Sequence, residues 1–161
     1  MRRPQPDQRL IGELLRNPNA ARARYVEQGL AAAGHAVIRQ AHLPIFEYID
    51  RVHGSRITYL AAHANITVQA MGELVDHLAR HGYVERVPDP SDGRAKLVRL
   101  TAQGQAIYAL AGRLVRELEA TWTGYLGARK FGQLKKLLAE LWDATVAAEE
   151  HSAADRINPA G

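Results

Sequence analysis

The chain has 161 residues, of which 47% are hydrophobic and 24% are charged, and its formal net charge is +4 at pH 7. This composition is typical of a globular protein and excludes an intrinsically disordered one, and the length suits a domain with its own core or a domain with a dimerisation arm. The absence of cysteine excludes disulfides, thiol catalysis and thiolate metal sites. No apolar run approaches the roughly 18 residues of a membrane span and no secretory signal follows the first cations, so we expect no membrane partner and a cytoplasmic location.

The N-terminal part predicts an arm followed by a long helix. Residues 1–19 include Pro4 and Pro6 and are predicted to form a loose arm. A helix is predicted from about Ala20 to Gln40, stopping before Pro44, because the residue before a proline disfavours helical backbone angles. Residues 44–52 then predict a short helix with an apolar side.

Residues 56–82 predict two helices close together. The first runs from about Arg56 to His63, and Thr67 is a suitable N-cap for the second. Gly82 is placed to end that second helix. Apolar side chains in it recur at a spacing of three and four residues, which predicts one buried stripe. The stripe consists of Met71, Leu74, Val75 and Leu78.

A hairpin is predicted next, with strands over Tyr83–Val87 and Lys96–Leu100. The connecting segment "PDPSDGR" is longer than the favoured two-residue turns and is predicted to project as a wing. Helix, turn, helix and hairpin are the order of a winged helix-turn-helix. The predicted fold class is therefore mainly α (α+β), a winged helix-turn-helix with flanking dimerisation helices.

Two further helices are predicted after the hairpin. The first is capped by Thr101, and the second begins near Phe131 and carries an apolar stripe. The predicted domain boundaries are an arm over 1–19, a helical dimerisation region over 20–43 and 101–150, a winged domain over 44–100 and a frayed tail over 151–161. The members of the last stripe are Leu134, Leu137, Leu138, Leu141 and Trp142.

Charge alone does not identify the partner, because residues 54–100 carry six cations and five acids. The sequence has no Gly-rich phosphate loop, no G-x-S-x-G segment and no H-E-x-x-H pair, so we predict no enzyme and no cofactor. His77 and His81 have a spacing that can chelate a metal, but no carboxylate completes a site, and no metal is predicted.

Residues 56–104 resemble the DNA-binding core of the MarR family of bacterial transcriptional regulators. The resemblance is carried by "YLAAHANIT", by "LVDHLARHGYVER", by Asp92-Gly93-Arg94 and by "LVRLTAQG", and with the flanking helices it extends over about residues 20–150. It implies a homodimer whose first and last two helices form the interface and whose winged domains bind a palindromic operator. It also implies repression as the commoner mode of action.

The second helix of the pair is the predicted recognition helix, since its polar face lies opposite the apolar stripe. Gln69 suits a bidentate contact to adenine, and Val68 or Ala70 suits a thymine methyl group. Glu73 departs from the cation or small polar group expected at its position; it is predicted either to accept from cytosine or to repel phosphates. The residues predicted to contact DNA are Ser55, Arg56, Thr67, Val68, Gln69, Ala70, Glu73, His77, Arg86, Asp92, Arg94 and Lys96.

In the wing, Arg94 is predicted to enter a narrow minor groove, with the Asp92 carboxylate accepting from its guanidinium. Arg86, Lys96 and Arg99 are predicted phosphate neutralisers, although each also fits a simple role flanking the sheet. The acids on the polar face of the second helix leave one alternative open, in which a winged-helix module binds protein instead of DNA.

The resemblance also implies a small aromatic or phenolic effector that binds between the dimer helices and the winged domain. Polar side chains beside apolar ones suggest a pocket, and Arg39 suits a carboxylate. The same residues equally fit a solvated interface helix. The predicted effector residues are His35, Arg39, His42, Phe46 and Tyr108.

Overall fold

A computed structural model describes the backbone of residues 9–157 and the side chains of residues 9–146. The chain divides after Leu118 into two compact units. The elements are α1 (Ile11–Ala32), a 3₁₀ turn (Gln40–His42), α2 (Leu43–Tyr48), β1 (Ser55–Arg56), α3 (Ile57–His63), α4 (Val68–Arg80), β2 (Val84–Asp89), β3 (Asp92–Leu100), α5 (Ala102–Leu126) and α6 (Ala128–Ile157).

Helix α1 begins at Ile11 and contains Pro18, so the prediction of a loose arm is wrong over residues 11–19. Proline removes one backbone donor from a helix interior, and the ladder continues on either side of that single lost hydrogen bond. Residues 1–8 of the predicted arm lie outside the described residues.

The predicted extension of this first helix to Gln40 is also wrong. Gly34 has φ +92°, a left-handed conformation that favours glycine and ends a helix. The His35 N–H reaches back to the Leu30 carbonyl at 2.9 Å, which satisfies one carbonyl of the last turn. The segment between Ala33 and Arg39 is therefore a connection and not part of the helix.

The sheet has three antiparallel strands in the order β1-β3-β2. The central strand β3 pairs with β2 along the hairpin and with β1 through Ser55↔Val98 and Arg56↔Leu97. The sequence did not predict β1, because a two-residue strand has no periodicity of its own and depends on its partner. Through β1, the start of α3 is fixed to the sheet.

The hairpin differs from its prediction, since only Pro90 and Ser91 separate β2 from β3. The register shifts between Pro88, which pairs with Lys96, and Asp89, which pairs with Asp92. Residues 93–95 are thus left outside the regular pairing, as in a bulge. The wing is therefore an extended hairpin with an irregular end, and the prediction of a seven-residue loop is wrong.

The core of the first unit joins α1, α2, α3, α4, the sheet and the start of α5. Met71, Val75 and Leu78 of α4 are all 0% exposed, which confirms the buried stripe apart from Leu74, which is half-buried. Burying such a side chain contributes roughly 1.5–3 kcal/mol. At Gly104, an added Cβ would lie 2.0 Å from the Tyr83 carbonyl oxygen, so only glycine allows α5 to begin this close to the hairpin.

Helix α6 keeps its predicted apolar stripe on the surface, where Leu137 is 54% and Trp142 62% exposed. The helix runs to Ile157, so the prediction of a frayed tail is wrong over residues 151–157. Alanine is frequent and neither proline nor glycine occurs over residues 133–158, so nothing in this part of the sequence stops the helix earlier. Residues 158–161 lie outside the described part. Among the described residues, 9–157, no helix is long and apolar enough to cross a bilayer.

Candidate nucleic-acid interface

The N-terminus of α4 is exposed and capped. The Thr67 Oγ1 accepts a hydrogen bond from the Ala70 N–H at 3.1 Å, as predicted for an N-cap. Asn65, with φ +53°, turns the chain between α3 and α4, a conformation that asparagine tolerates better than most residues. Val68 is 47% exposed, and Gln69 beside it is also exposed, whereas Ala70 is half-buried.

The polar face of α4 continues from Gln69 through Glu73 to Asp76, all exposed. The Gln69 Nε2 donates to the Glu73 Oε1 at 3.4 Å, so the two side chains lie side by side one turn apart. Asp76 contacts the wing instead: its Oδ1 accepts from the Arg86 Nη2 at 2.7 Å. The face therefore presents one amide and two carboxylates, one of which is paired with a cation.

Three arginines of the hairpin region are paired with acids. Arg86 pairs with Asp76, and Arg99 donates through Nε and Nη2 to the Glu85 Oε1 at 3.0 and 2.8 Å. Arg56 pairs with Asp89. By contrast, Arg94 and Lys96 are exposed, and the described residues give neither side chain an ion-pair partner. The free positive charge of this region is therefore concentrated on the wing.

Asp89 holds the wing to the start of α3. Its Oδ2 accepts from Nε and Nη2 of Arg56 at 2.8 and 2.7 Å, and its Oδ1 accepts from the hydroxyl of Ser91 at 2.6 Å. Hydrogen bonds from the Ser91 hydroxyl and N–H, followed by the contact with Arg56, lower the pKa of Asp89 to about 2. The sequence did not identify Asp89, because its partner lies 33 residues away in the chain.

Asp92 makes a different contact from the predicted one. Its Oδ1 accepts from the backbone N–H of Arg94 at 3.1 Å, and its Oδ2 lies 3.7 Å from the Arg56 Nη2. The prediction that it fixes the guanidinium of Arg94 is wrong, because the carboxylate closes a local turn with the backbone. Arg94 therefore extends into solvent without support from Asp92.

Two other predicted DNA contacts are not on the exposed surface. Ser55 is 7% exposed and its Oγ accepts from the Asp50 N–H at 2.9 Å, because the pairing of β1 turns this side chain inward. His77 is half-buried, with its Nε2 3.3 Å from the Val37 carbonyl oxygen. Its ring is stacked on His42, with a centroid distance of 4.8 Å. Neither side chain is placed to contact a phosphate.

The five predicted effector residues lie in different environments within the described part of the chain. His42 and Phe46 are 5% and 3% exposed and belong to the interior of the first unit. The His35 Nδ1 is bonded to the Tyr83 hydroxyl at 3.0 Å, and the Arg51 guanidinium lies 4.8 Å from the Tyr108 ring centroid. Arg39 is exposed and lies 3.8 Å from Glu27.

An open groove of about 770 Å³ lies elsewhere, beside β1 and α3. Tyr48, Tyr59 and Arg56 contribute to its walls, and none of the five predicted effector residues does. Among the side chains described, no group of three or more histidines and acids is arranged to hold a metal ion. The effector residues therefore stay a prediction.

The two adjacent helices, the hairpin and the strand that pairs with it define a winged helix-turn-helix. The family model described as "MarR family" matches residues 38–95. The structure therefore has the predicted winged helix-turn-helix fold, and the match over residues 38–95 agrees with the predicted resemblance to the MarR family. Regulators of this family are not enzymes, in agreement with the prediction from the motifs.

Individual relatives agree with this assignment. An HTH-type transcriptional repressor of Mycobacterium tuberculosis is 35% identical over 82 residues, which are 51% of this chain and 59% of that repressor. The matched segment thus covers little more than half of this curated relative. The structure of wild-type MarR from Escherichia coli in its apo form has 27% identity and a TM-score of 0.70, over 83% of this chain and 97% of that one.

A structure of a cysteine-to-serine mutant of the same Escherichia coli protein, complexed with operator DNA, is also similar. It has 27% identity and a TM-score of 0.65, and the match covers 81% of this chain and 92% of that one. The fold of the present chain is thus similar to that of a protein whose structure includes bound operator DNA.

Proposed function

We propose that the protein is a transcriptional repressor that binds a palindromic operator in double-stranded DNA as a homodimer. The observation that carries the proposal is the exposed, Thr67-capped start of α4, which presents Val68 and Gln69 from a helix whose opposite side is fully buried. A helix presented in this way suits the major groove. The likeness to an operator complex and to a named repressor supports the same reading.

The wing supplies the second contact of the proposal. Arg94 and Lys96 are exposed cations near the end of the hairpin, where no acid among the described side chains neutralises them. A cation on a projecting hairpin suits the negative potential of a narrow minor groove. In this arrangement α4 selects the sequence, while the wing contributes mainly affinity.

The exposed stripe of α6 is the basis for proposing a homodimer. Leu134, Leu137, Leu138 and Leu141 are between 36% and 54% exposed along one side of this helix. Aliphatic side chains at this spacing pack well against the same stripe of a second copy. Two-fold symmetry then places the operator half-sites about 10 base pairs apart, centre to centre.

The test begins with selection of bound duplexes from a random pool, followed by anisotropy titrations at low and high salt. We expect a palindromic consensus and an affinity that falls by about 10³-fold or more between roughly 50 and 200 mM salt. The paired arginines keep a second function open, a module that binds protein. Failure to bind any duplex at low salt would favour that module and exclude the repressor.

Two substitutions separate the roles of helix and wing. Arg94→Ala should weaken binding of all sequences by a similar factor, whereas Gln69→Ala should relax preference at one base pair per half-site by roughly 1–3 kcal/mol. Arg24→Ala, which removes an exposed cation from α1, is the matched control for Arg94→Ala. Equal affinities of the Arg94→Ala and Arg24→Ala proteins would show that the wing assignment is wrong.

A small aromatic or phenolic effector stays a prediction from the family resemblance. Titration of the DNA complex with aromatic acids tests it, and release of the duplex is the expected result. We also propose that the protein works in the cytoplasm, where a bacterial operator is accessible.

A further inference from the structure

The outward face of α4 carries two carboxylates, Glu73 and Asp76, one turn apart. A carboxylate that faces DNA repels the phosphates, so each is unfavourable for binding unless it has a compensating role. The two differ in their partners. Glu73 contacts the neutral amide of Gln69, whereas Asp76 forms an ion pair with Arg86 of strand β2.

The Asp76–Arg86 pair connects the recognition helix to the wing. The Asp76 Oδ1 accepts from the Arg86 Nη2 at 2.7 Å, the side chains being 62% and 32% exposed. A guanidinium has five N–H donors in a rigid plane, and a single one of them is used here. The arginine is thus held in place, and its other N–H donors have no hydrogen-bond partner among the described residues.

Arg99 of β3 is an arginine of the same sheet whose guanidinium donates to an acceptor within the sheet. Both its Nε and its Nη2 donate to one oxygen of Glu85, the cross-strand neighbour. Arg86 is opposite Val98, whose apolar side chain offers no acceptor, and its Nη2 donates to Asp76 of α4 instead. Arg86 uses one donor and Arg99 uses two, so Arg86 keeps more donors for a further acceptor, although its side chain is the less exposed, at 32% against 48%.

We propose that Asp76 is a positioning residue for operator binding, which holds the Arg86 guanidinium ready for one backbone phosphate of each half-site. The inference rests on the proposed function and adds a specific role within it. A guanidinium can bind a carboxylate on one edge and a phosphate on another. Because Arg86 is already ordered by Asp76, less side-chain entropy is lost when the phosphate arrives.

For the substitution Asp76→Asn, a positioning role and simple charge repulsion predict changes of opposite sign in DNA affinity. If Asp76 acted only through its negative charge, Asp76→Asn would tighten DNA binding, because one repulsive charge would disappear. If Asp76 positions Arg86, the same substitution weakens binding. Glu47→Gln is the matched control, since it removes one carboxylate charge and an ion pair of similar length, that of Glu47 with Arg22 at 2.6 Å.

The experiment measures dissociation constants of the full-length variants with the selected operator duplex by fluorescence anisotropy, at several salt concentrations. We expect Asp76→Asn to weaken binding about fivefold to twentyfold and Glu47→Gln to change it less than twofold, with Asp76→Glu recovering part of the loss. Arg86→Ala should lower the slope of log K against log salt by about 1. The double variant Asp76→Asn/Arg86→Ala should bind no more weakly than Arg86→Ala alone.

Several results would overturn the proposal. Equal or tighter binding by Asp76→Asn would do so, as would a double variant whose loss is the product of the two single losses. If Asp76→Asn does not fold, Arg86→Lys gives the same test, because lysine keeps the charge but lacks the planar fork; unchanged affinity would then reject the role. Failure of the wild-type protein to bind any duplex would reject the proposed function itself, so the two failures are distinguishable.

Discussion

Helices α4 and α6 have the same spacing of apolar residues, yet the apolar stripe of α4 is buried within the chain and that of α6 is exposed. Met71, Val75 and Leu78 of α4 are 0% exposed, whereas Leu137 and Trp142 of α6 are 54% and 62% exposed. Spacing thus predicts which side of a helix is apolar, but not whether the covering surface lies within the same chain. For α4 that surface is the first unit; for α6 we propose a second copy.

The largest expected effect tests the buried side of this comparison. Leu78→Ala should lower the free energy of unfolding of the first unit by about 2–5 kcal/mol, because it leaves a cavity where a side chain is fully enclosed. Urea denaturation followed by circular dichroism measures it. Leu137→Ala on α6 is the control, and it should cost far less at a protein concentration at which the chain is monomeric. Equal losses would contradict the difference in burial.

The exposed side of the comparison is tested by placing a charge in the α6 stripe. Leu141→Glu should weaken self-association about 100-fold, because each copy would bring an unpaired carboxylate into the proposed apolar interface. Analytical ultracentrifugation measures the dissociation constant of the dimer. Operator affinity should fall with it, while the thermal unfolding of the first unit should change little.

The control for this substitution is Ala139→Glu. It adds the same charge to an exposed position of α6 on the side away from the leucines, as 100° per residue requires. We expect this variant to stay dimeric. A wild-type protein that sediments as a monomer at every concentration would contradict the proposed partner of α6.

The same contrast explains how far the sequence alone was informative. Thr67 as a cap, Gly82 as a helix end and the α4 stripe were predictable, because each depends on residues within a few positions of one another. Strand β1 and the role of Asp89 were not, because each is defined by a partner distant in the chain. The same holds for the proposed site, since the exposure of Gln69 and Arg94 could be predicted from the residues near them in the sequence.

Ser55 and His77 show why two of the predicted DNA contacts disagree with the structure. Both lie within a few residues of exposed positions, and a hydroxyl or an imidazole can each donate a hydrogen bond to a phosphate. Pairing with β3 turns Ser55 inward, and packing of the α4 side against the 3₁₀ turn stacks His77 on His42. In each case the deciding neighbour belongs to another element, which periodicity within one element does not reveal.

The smallest expected effect concerns His42, a titratable group buried in the first unit. His42 is 5% exposed, and its Nδ1 accepts from the Arg39 N–H at 2.9 Å. Burial, followed by the nearby His77, lowers the pKa of His42 from its ordinary value of 6.5; His81 and Arg39 act in the same direction, and the hydrogen bond with Arg39 opposes them. The folded protein therefore favours neutral His42.

Acid should consequently destabilise the first unit. With a lowered pKa in the folded state, the unfolded chain binds more protons between pH 6.5 and the folded pKa, so stability present above pH 6.5 is lost as the pH falls through this window. The contribution of one such group has a slope of at most about 1.4 kcal/mol per pH unit. His42→Asn keeps a hydrogen-bond acceptor for the Arg39 N–H but cannot titrate.

Urea denaturation of the wild type and of His42→Asn between about pH 7 and pH 5 isolates this contribution. The variant should lose less stability on acidification than the wild type. Identical pH profiles for the wild type and His42→Asn would show that His42 is not the group responsible. Because α6 leaves its apolar stripe exposed and has no buried histidine among residues 128–146, this acid sensitivity should be confined to the unit that contains α4.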